Sequence, residues 1–284
     1  MSLLAGKGVV FVRATRPRDP IGTSKNFDSA LRLVKQRDVT AIVTTGAQVA
    51  LPYLVVGRAL NKSCHFIESA ARCDGPSLSA RMARLLPGMN LYTQYHSWEN
   101  ETFGYVGSVF DGYKTAPVGD GYRSPDSRPW NIVVTLGTLE NWEFRRLVEA
   151  CIRVIPEGSN VLWQTGATDV SGLPIEGRGL VTNRELGDAI AAADVVISHS
   201  GVGSALTALR CGKRPILVPR EAAHGEHVDD HQRQVAIELS SRGLALFRSP
   251  ENLTADDLIE ACGMRVERLD SPDSLPPMHL RTKR

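Results

Sequence analysis

The chain has 284 residues, of which 42% are hydrophobic and 23% are charged, and its formal net charge is +2. This composition is typical of a soluble globular protein with one large or two modest domains. The weak net charge argues against nucleic acid as a partner, and no apolar run approaches the roughly 20 residues that a membrane span needs.

The N-terminal region and the cysteines indicate a cytoplasmic protein. The first apolar stretch is short and is followed at once by Arg13, Arg16 and Arg18, which is unlike a signal peptide. The five cysteines are scattered, and none forms a Cys-x-x-Cys pair. Reduced thiols are therefore the simplest interpretation.

The first half of the chain predicts a small α/β layer that is incomplete at its N-terminal edge. Short apolar runs predict strands at 9–12, 39–43, 64–67 and 90–93, and helical spacing predicts helices at about 26–36, 47–60 and 77–86. The last helix places Leu78, Met82, Leu85 and Leu86 on one face, with Arg81 and Arg84 beside it. This pattern fits a helix at a membrane surface, and it fits a core helix with two exposed arginines equally well.

A composition break divides the chain. Residues 107–129 have little periodicity and are dense in Gly, Pro, Ser and Asp, so we predict a linker there. It would join an N-terminal domain at 1–106 to a second domain at 130–262. The tail at 263–284 is expected either to extend loosely or to pack back on the first domain.

The second half alternates short apolar strands with helices. Strands are predicted at 131–136, 161–165, 195–197, 215–219 and 244–247, and helices at about 144–155, 186–193, 202–211 and 228–241. Such alternation is typical of βαβ units and a parallel, doubly wound sheet. The fold class is therefore α/β with two Rossmann-like domains.

A glycine- and serine-rich turn follows the strand at 195–197. Ser200 and Ser204 offer hydroxyl donors, while Gly201 and Gly203 allow the backbone to approach a phosphate at a helix start. An ordinary strand-to-helix turn would use the same residues. His199, next to the turn, is either part of this site or a packing residue.

The segment after the strand at 215–219 is unusually polar. It contains Arg220, Asp230 and Gln232, and the mixture of donors and acceptors suits the hydroxyls of a sugar. A solvated helix start is one alternative. A zinc site is another, and its ligands would be His224, His227, His231 and Asp229. We predict polar ligand recognition and no metal.

Two further turns follow neighbouring strands. Gly137 and Thr138 come after the strand at 131–136, and Gln164 lies near the end of the strand at 161–165, before Gly166. The carboxyl ends of parallel strands lie at one edge of a sheet. Four polar turns at that edge therefore predict one binding crevice.

Five of these segments resemble the C-terminal domain of glycosyltransferase family 28. They are V-T-L-G-T at 134–138, W-Q-T-G at 163–166, A-A-D-V-V-I-S-H-S-G-V-G-S at 192–204, G-K-R-P-I-L-V-P-R at 212–220 and H-V-D-D-H-Q at 227–232. The pattern is shared with bacterial exopolysaccharide transferases and with MurG-like enzymes. In the first half, the segments at 43–52, 66–72 and 76–79 resemble the acceptor-presenting subunit of the two-subunit enzyme that elongates dolichol-linked precursors. The chain thus looks like a fusion of the two subunits.

The resemblance implies a GT-B-like fold and a role for each matched residue. Ser200, Gly201, Gly203 and Ser204 would hold the UDP diphosphate, Asp230 and Gln232 would contact the donor sugar, and Gly137 and Thr138 would line the cleft. The implied reaction moves a sugar from a UDP-sugar to a lipid-linked glycan with inversion, at the inner face of the membrane, without metal or other cofactor. Glu68 is our candidate for the base, and a carboxylate that caps the next turn is its alternative.

Two positions depart from the family pattern. Family members usually carry a glutamate for the ribose hydroxyls on the helix after the turn, where this chain has Thr207. The acceptor half also usually begins with a strand and a glycine-rich turn, and nothing similar precedes Val9. Two other functions therefore stay open: a UDP-sugar-binding subunit that needs another chain, and a nucleotide-sugar epimerase or hydrolase.

Overall fold

The computed structural model of the protein describes residues 8–13, 15, 19–36, 38–119, 129–139 and 141–269. The chain forms two compact units, divided between Gly107 and Ser108. Among the helices in these ranges, none combines the length and the apolar composition needed to cross a bilayer.

The first unit is built on a four-stranded parallel sheet with the order β1-β2-β3-β4. The strands are β1 (Ala41–Thr44), β2 (Ser63–Ile67), β3 (Asn90–Thr93) and β4 (Phe103–Tyr105). The helices are α1 (Pro20–Ser24), α2 (Phe27–Gln36), α3 (Ala50–Ala59) and α4 (Leu78–Ala83), with a 3-10 helix at His96–Trp98. Apolar side chains of α3, α4 and the central strands, including Leu54, Phe66 and Ala80, form its core.

The N-terminal edge of this sheet differs from the prediction. Residues 9–12 were expected to form a strand, but they lie outside any strand, and Phe11 is 90% exposed. A β-branched run becomes a strand only where a second strand supplies its hydrogen-bond partners. Strand β1 is consequently an edge of the sheet, and the layer is the partial Rossmann-like domain that the sequence predicts.

The second unit contains a six-stranded parallel sheet with the order β11-β10-β9-β6-β7-β8. The strands of the unit are β5 (Tyr113–Pro117), β6 (Asn131–Thr135), β7 (Asn160–Gln164), β8 (Gly177–Arg178), β9 (Val195–His199), β10 (Ile216–Val218), β11 (Leu246–Phe247) and β12 (Met264–Arg268). Its helices are α5 (Arg145–Val154), α6 (Asn183–Ala192), α7 (Val202–Arg210), α8 (His231–Ser241) and α9 (Ala255–Cys262).

The two central strands explain why this sheet is well determined by sequence. Every residue of β9 is buried, and so are four of the five residues of β6. Strands that are covered by helices on both faces read as continuous apolar runs, which is what residues 131–135 and 195–197 show. The doubly wound parallel sheet is therefore confirmed.

The predicted linker and tail form a second, smaller sheet. Strand β5 pairs antiparallel with β12, from Tyr113 opposite Arg268 to Pro117 opposite Met264. Phe110 is fully buried just before β5. The sequence predicts no strand in either stretch, because each strand depends on a partner far away in the sequence. Residues 120–128 of the linker and 270–284 of the tail lie outside the described residues.

Candidate functional site

Four turns converge at the carboxyl edge of the second sheet. Strands β10, β9, β6 and β7 are neighbours in this order and all run parallel. The rungs pair Val218 with His199, and Thr135 with both Ser198 and Gln164. The turns after these strands therefore emerge side by side, at the edge where ligands bind in such sheets.

The turn after β6 is held by Gln164. The hydroxyl of Thr135 donates to Gln164 Oε1, and Gln164 Nε2 donates to the carbonyl of Gly137 at 2.7 Å and to that of Gly179 at 3.3 Å. The side chain is 2% exposed. Gln164, which the sequence predicts at the donor site, uses its amide inside the protein to shape the Gly137 turn. Thr138, the next residue, is exposed at the edge.

His199 is a neutral residue packed between two glycines. Its ring is buried, and its Nδ1 donates to the carbonyl of Thr135 at 3.3 Å. Burial, with a further contribution from the nearby positive charge of Arg220, lowers the pKa of His199 to about 3, against the opposing hydrogen bond to Thr135. With the proton on Nδ1, Nε2 is an acceptor. His199 therefore cannot supply positive charge to a phosphate.

The start of α7 presents unpaired donors. Helix α7 has no side-chain cap among the described residues, whereas Thr182 caps α6 through the N–H of Glu185. The hydroxyl of Ser200 is completely buried and has no hydrogen-bond partner in the described ranges. Free N–H groups and the helix dipole at such a start attract an anion.

Two positions on α7 bear on a nucleotide. Gly203 is exposed, and a β-carbon built there would meet no described atom within 4 Å. Ser204 follows it and is half-buried. Thr207, which stands where the family resemblance leads us to expect glutamate, donates its hydroxyl to the carbonyl of Gly203 at 2.8 Å. That hydroxyl therefore serves its own helix.

Arg220, two residues beyond β10, is 1% exposed. Its N–H donates to Gln232 Oε1 at 3.1 Å, its Nη2 donates to the carbonyl of Trp142 at 3.2 Å, and its guanidinium lies 5.4 Å from the ring centre of Phe144. Burial lowers the pKa of Arg220 to about 10 despite the opposing effect of Glu226. This buried cation was recognised in the sequence only as a member of a polar segment.

Arg146 anchors the loop that follows β10, and sequence reasoning missed it. Its Nε and Nη2 donate to the two carboxylate oxygens of Glu226 at 2.8 and 3.0 Å, and Nη2 also approaches Glu221 at 3.2 Å. Glu226 in turn accepts the N–H of Glu221 at 3.1 Å. The pKa of Arg146 is raised, chiefly by its hydrogen bond to Glu226. The cluster pins the loop to α5, and its partners are too far apart in sequence to give a local signal.

The predicted sugar-contacting residues lie next to Arg220 and also have partners within the protein. Asp230 is exposed, and its Oδ1 accepts the N–H of Ala222 at 2.9 Å. Gln232 is 2% exposed, and its Oε1 accepts the N–H of Arg220. Both side chains therefore fix the loop in addition to any role toward a ligand.

Three of the four residues considered for zinc come together. Candidate ligand atoms of His227, Asp229 and His231 lie within 4.8 Å of one another. His231 Nδ1 bonds to Asp229 Oδ1, and His227 Nδ1 lies 3.1 Å from the carbonyl of Asp229. His224 is not part of this group, since its Nε2 lies 3.5 Å from Glu221 instead. The imidazole of His227 also stacks on Trp142, with ring centres 5.9 Å apart.

Glu68 belongs to the first unit, at the end of β2. It is 1% exposed, and its two carboxylate oxygens accept the N–H groups of Ser69 at 2.8 Å and of Ser77 at 2.7 Å. These are the contacts of a carboxylate that caps a turn. The prediction of Glu68 as the base is therefore not retained.

Comparisons with known proteins agree with this architecture. Residues 131–262 match the model of the glycosyltransferase family 28 C-terminal domain. The UDP-N-acetylglucosamine--N-acetylmuramyl-(pentapeptide) pyrophosphoryl-undecaprenol N-acetylglucosamine transferase of Chlorobium luteolum is 28% identical over 261 residues, which cover 84% of this chain and 68% of that protein. The UDP-N-acetylglucosamine transferase subunit ALG13 of Candida glabrata is 37% identical over 83 residues, or 29% of this chain and 36% of that subunit.

The crystal structure of MurG from Acinetobacter baumannii superimposes with a TM-score of 0.56 at 18% sequence identity, covering 91% of this chain and 76% of that one. The chain spans only about two thirds of the length of its full-size relatives, 68% of the Chlorobium luteolum enzyme and 63% of its counterpart from Chlorobaculum tepidum. Fold, edge site and matched domain together define a glycosyltransferase of the GT-B type. Residues 131–262 therefore have the sequence pattern of the glycosyltransferase family 28 C-terminal domain.

Proposed function

We propose that the protein transfers a sugar from a UDP-sugar to a lipid-linked glycan, with inversion and without a metal. The observation that carries the proposal is the uncapped start of α7. Its free N–H groups lie beside Gly203, around which the described residues leave open space. The Chlorobium luteolum relative is a UDP-N-acetylglucosamine transferase and the Candida glabrata relative is a subunit of one, and both support the same donor class.

The glycine at position 203 supports a ligand more than a structural requirement. A β-carbon at Gly201 would collide with the imidazole of His199, so the protein's own packing explains that glycine. Gly203 lies in a regular helix, and no described neighbour excludes a side chain there. Packing within the described residues therefore does not require glycine at position 203. A phosphate that approaches the backbone closely would require it.

The proposed chemistry follows from these donors. When the acceptor hydroxyl attacks the sugar, negative charge develops on the departing diphosphate. The N–H groups at the start of α7, with the hydroxyls of Ser200 and Ser204, would stabilise that charge. Asp230 and Gln232 would orient the sugar, and Gly137 and Thr138 would line the cleft, as the family resemblance suggests.

A peripheral position at the inner face of the membrane is the second element of the proposal. Leu78, Met82 and Leu85 are 62%, 48% and 81% exposed, and Arg81 and Arg84 beside them are also exposed. Apolar side chains next to arginines suit the surface of an anionic bilayer. Leu86, which we expected on the same face, packs instead against the core of the first unit.

A UDP-sugar-binding subunit is the alternative that one observation favours. Strand β1 is an edge of the first sheet, and the apolar residues 9–12 remain outside any strand. A relative that matches part of the chain is itself described as a subunit. In that case the chain would bind the donor but turn over only when a second protein is present.

The deciding experiment measures UDP release from UDP-N-acetylglucosamine and other UDP-sugars. It is run with and without a panel of polyprenyl-diphosphate-linked glycans. Release that depends on the lipid acceptor supports the transferase. Donor binding with turnover only after a second protein is added supports the subunit, whereas conversion of the UDP-sugar without any acceptor would indicate an epimerase or hydrolase and contradict the proposal.

A further inference from the structure

We infer that Arg220 binds an anionic group of the donor, supplied either by the diphosphate or by the carboxylate of a uronic acid sugar. The inference rests on the proposed donor site. It concerns the end of β10, beside the end of β9 where α7 begins. The guanidinium is 1% exposed, and its Nε and Nη1 have no hydrogen-bond partner in the described part of the chain. Within the described residues, the guanidinium donates one hydrogen bond, to the neutral carbonyl of Trp142, and lies over the ring of Phe144.

A buried cation in neutral surroundings is unfavourable unless a partner arrives. The acidic residue whose charge acts on Arg220 is Glu226. Both oxygens of that carboxylate are bound by Arg146, and one of them also accepts the N–H of Glu221. Glu226 is thus committed to another arginine, and two of the three guanidinium nitrogens of Arg220 keep unused donor capacity.

The position of Arg220 points to the donor site. Val218 pairs with His199 across β10 and β9, so Ser200 and Arg220 lie one and two residues beyond the same rung. The Ser200 hydroxyl is likewise buried without a partner among the described residues. Two adjacent strand ends therefore each carry an unpaired donor, at the edge where α7 begins. His199, which is close enough for the charge of Arg220 to act on it, is neutral, so the positive charge at this point comes from Arg220.

Access to Arg220 requires movement of its cover. Because the side chain is almost completely buried, a ligand reaches it only when the segment that contributes the Trp142 carbonyl and the Phe144 ring shifts. Trp142 stacks on His227 in the structure. We therefore expect its fluorescence to change when the donor binds, and the change should be absent in Trp142→Phe.

The two sources of the anion are separated by calorimetry with three ligands. UDP, UDP-N-acetylglucosamine and UDP-glucuronate are titrated into the wild type, Arg220→Met, Arg220→Lys and Arg233→Met. Arg233 is the matched control, because its guanidinium also lies over an aromatic ring, 5.3 Å from the centre of Phe247, but its side chain is 51% exposed.

If the diphosphate binds Arg220, Arg220→Met weakens all three ligands at least tenfold. If a carboxylate binds there, only UDP-glucuronate loses that much. Arg220→Lys should fall in between, because a single ammonium cannot replace the planar guanidinium. The ligand-free Arg220→Met protein should melt no lower than the wild type, since the variant removes an uncompensated buried charge while keeping apolar contact with Phe144.

Three outcomes would contradict the inference or the proposed function, and each has a different meaning. Affinities within twofold of the wild type in a folded Arg220→Met protein, or in Arg220→Lys should the methionine variant not fold, would overturn the role of Arg220 alone. A lower melting temperature with unchanged affinities would mark Arg220 as a structural residue. Failure of the wild type to bind any of the three nucleotides would instead remove the proposed function.

Discussion

A β-carbon at Gly137 would lie 2.5 Å from Cε1 and 2.6 Å from Nε2 of His199. The imidazole therefore occupies the place where a side chain at this turn would stand, and it does the same for Gly201 on the next strand end. Gly137 also has a positive φ of 79°, which L-residues rarely adopt. Packing around one buried histidine thus accounts for Gly137 and Gly201 and leaves Gly203 without an internal explanation.

Replacement of Gly203 by valine should abolish UDP binding while the fold survives. A branched side chain would fill the space beside the start of α7 where the diphosphate is proposed to lie. Gly187→Val is the matched control, since Gly187 also lies in a helix with no described atom within 4 Å of a built β-carbon. Both variants should keep the wild-type melting temperature to within a few degrees. Unchanged UDP affinity in folded Gly203→Val would show that the turn is structural only.

Gly201→Ala should have the opposite profile. Its β-carbon collides with the His199 ring, so the protein should lose stability by about 1–3 kcal/mol, the usual cost of overpacking a core. Chemical denaturation measures this loss. A variant as stable as the wild type would contradict the packing account of the His199 ring.

UDP should bind without a divalent metal. The motivation is that helix N–H groups and hydroxyls supply the donors for the diphosphate. Calorimetric titrations with and without EDTA should give the same affinity. The cluster of His227, Asp229 and His231 makes metal analysis of the purified protein an essential companion measurement. Stoichiometric zinc, or UDP binding that depends on Mg²⁺ or Mn²⁺, would overturn the metal-free mechanism.

Asp230→Ala and Gln232→Ala should weaken UDP-sugar binding and affect UDP much less. Each lost hydrogen bond to a sugar hydroxyl should cost about 0.5–1.5 kcal/mol, which is roughly a 2- to 10-fold loss of affinity. Asp256→Ala is the control, because Asp256 is also an exposed aspartate at a helix start. Equal losses for UDP and the UDP-sugar would indicate that the two side chains act by fixing the loop through Ala222 and Arg220.

The free energy of unfolding should decrease as the pH drops below 6.5, and His199 should contribute part of this decrease. Its pKa is about 3 in the folded protein and 6.5 in the unfolded chain, so the unfolded state binds the extra proton between these values. The groups that act on it are Arg220, His227 and the Thr135 carbonyl. One such group costs about 1.4 kcal/mol per pH unit below 6.5.

His199→Asn tests this slope. The wild type and the variant share all other histidines, so the difference between their unfolding free energies at pH 7 and pH 5 isolates position 199. The variant should lose about 2 kcal/mol less than the wild type over this interval. Parallel pH profiles of the two proteins would mean that His199 is not buried as a neutral ring.

The sequence by itself determined the features whose signals are local. Continuous apolar runs predicted β6 and β9, and helical spacing predicted α5 and α7. The glycines and serines at 200–204 marked the turn between β9 and α7. Each of these depends on side chains within about ten residues of one another. Because the strands are parallel, the order strand-turn-helix also placed the polar turns at one edge of the sheet.

Only the tertiary structure decided which polar side chains form hydrogen bonds within the protein. Gln164 and Glu68 look like functional residues in the sequence, yet both hydrogen-bond within the protein, in part to backbone groups from distant segments such as Gly137 and Ser77. The sequence of β5 carries no sign of its pairing with β12. The salt bridge between Arg146 and Glu226 joins residues 80 positions apart. A buried polar group is satisfied by whatever neighbour the fold supplies, and that neighbour is set by the packing of distant segments. For the same reason, the sequence carries no sign that Nε and Nη1 of Arg220 are buried without a hydrogen-bond partner among the described residues.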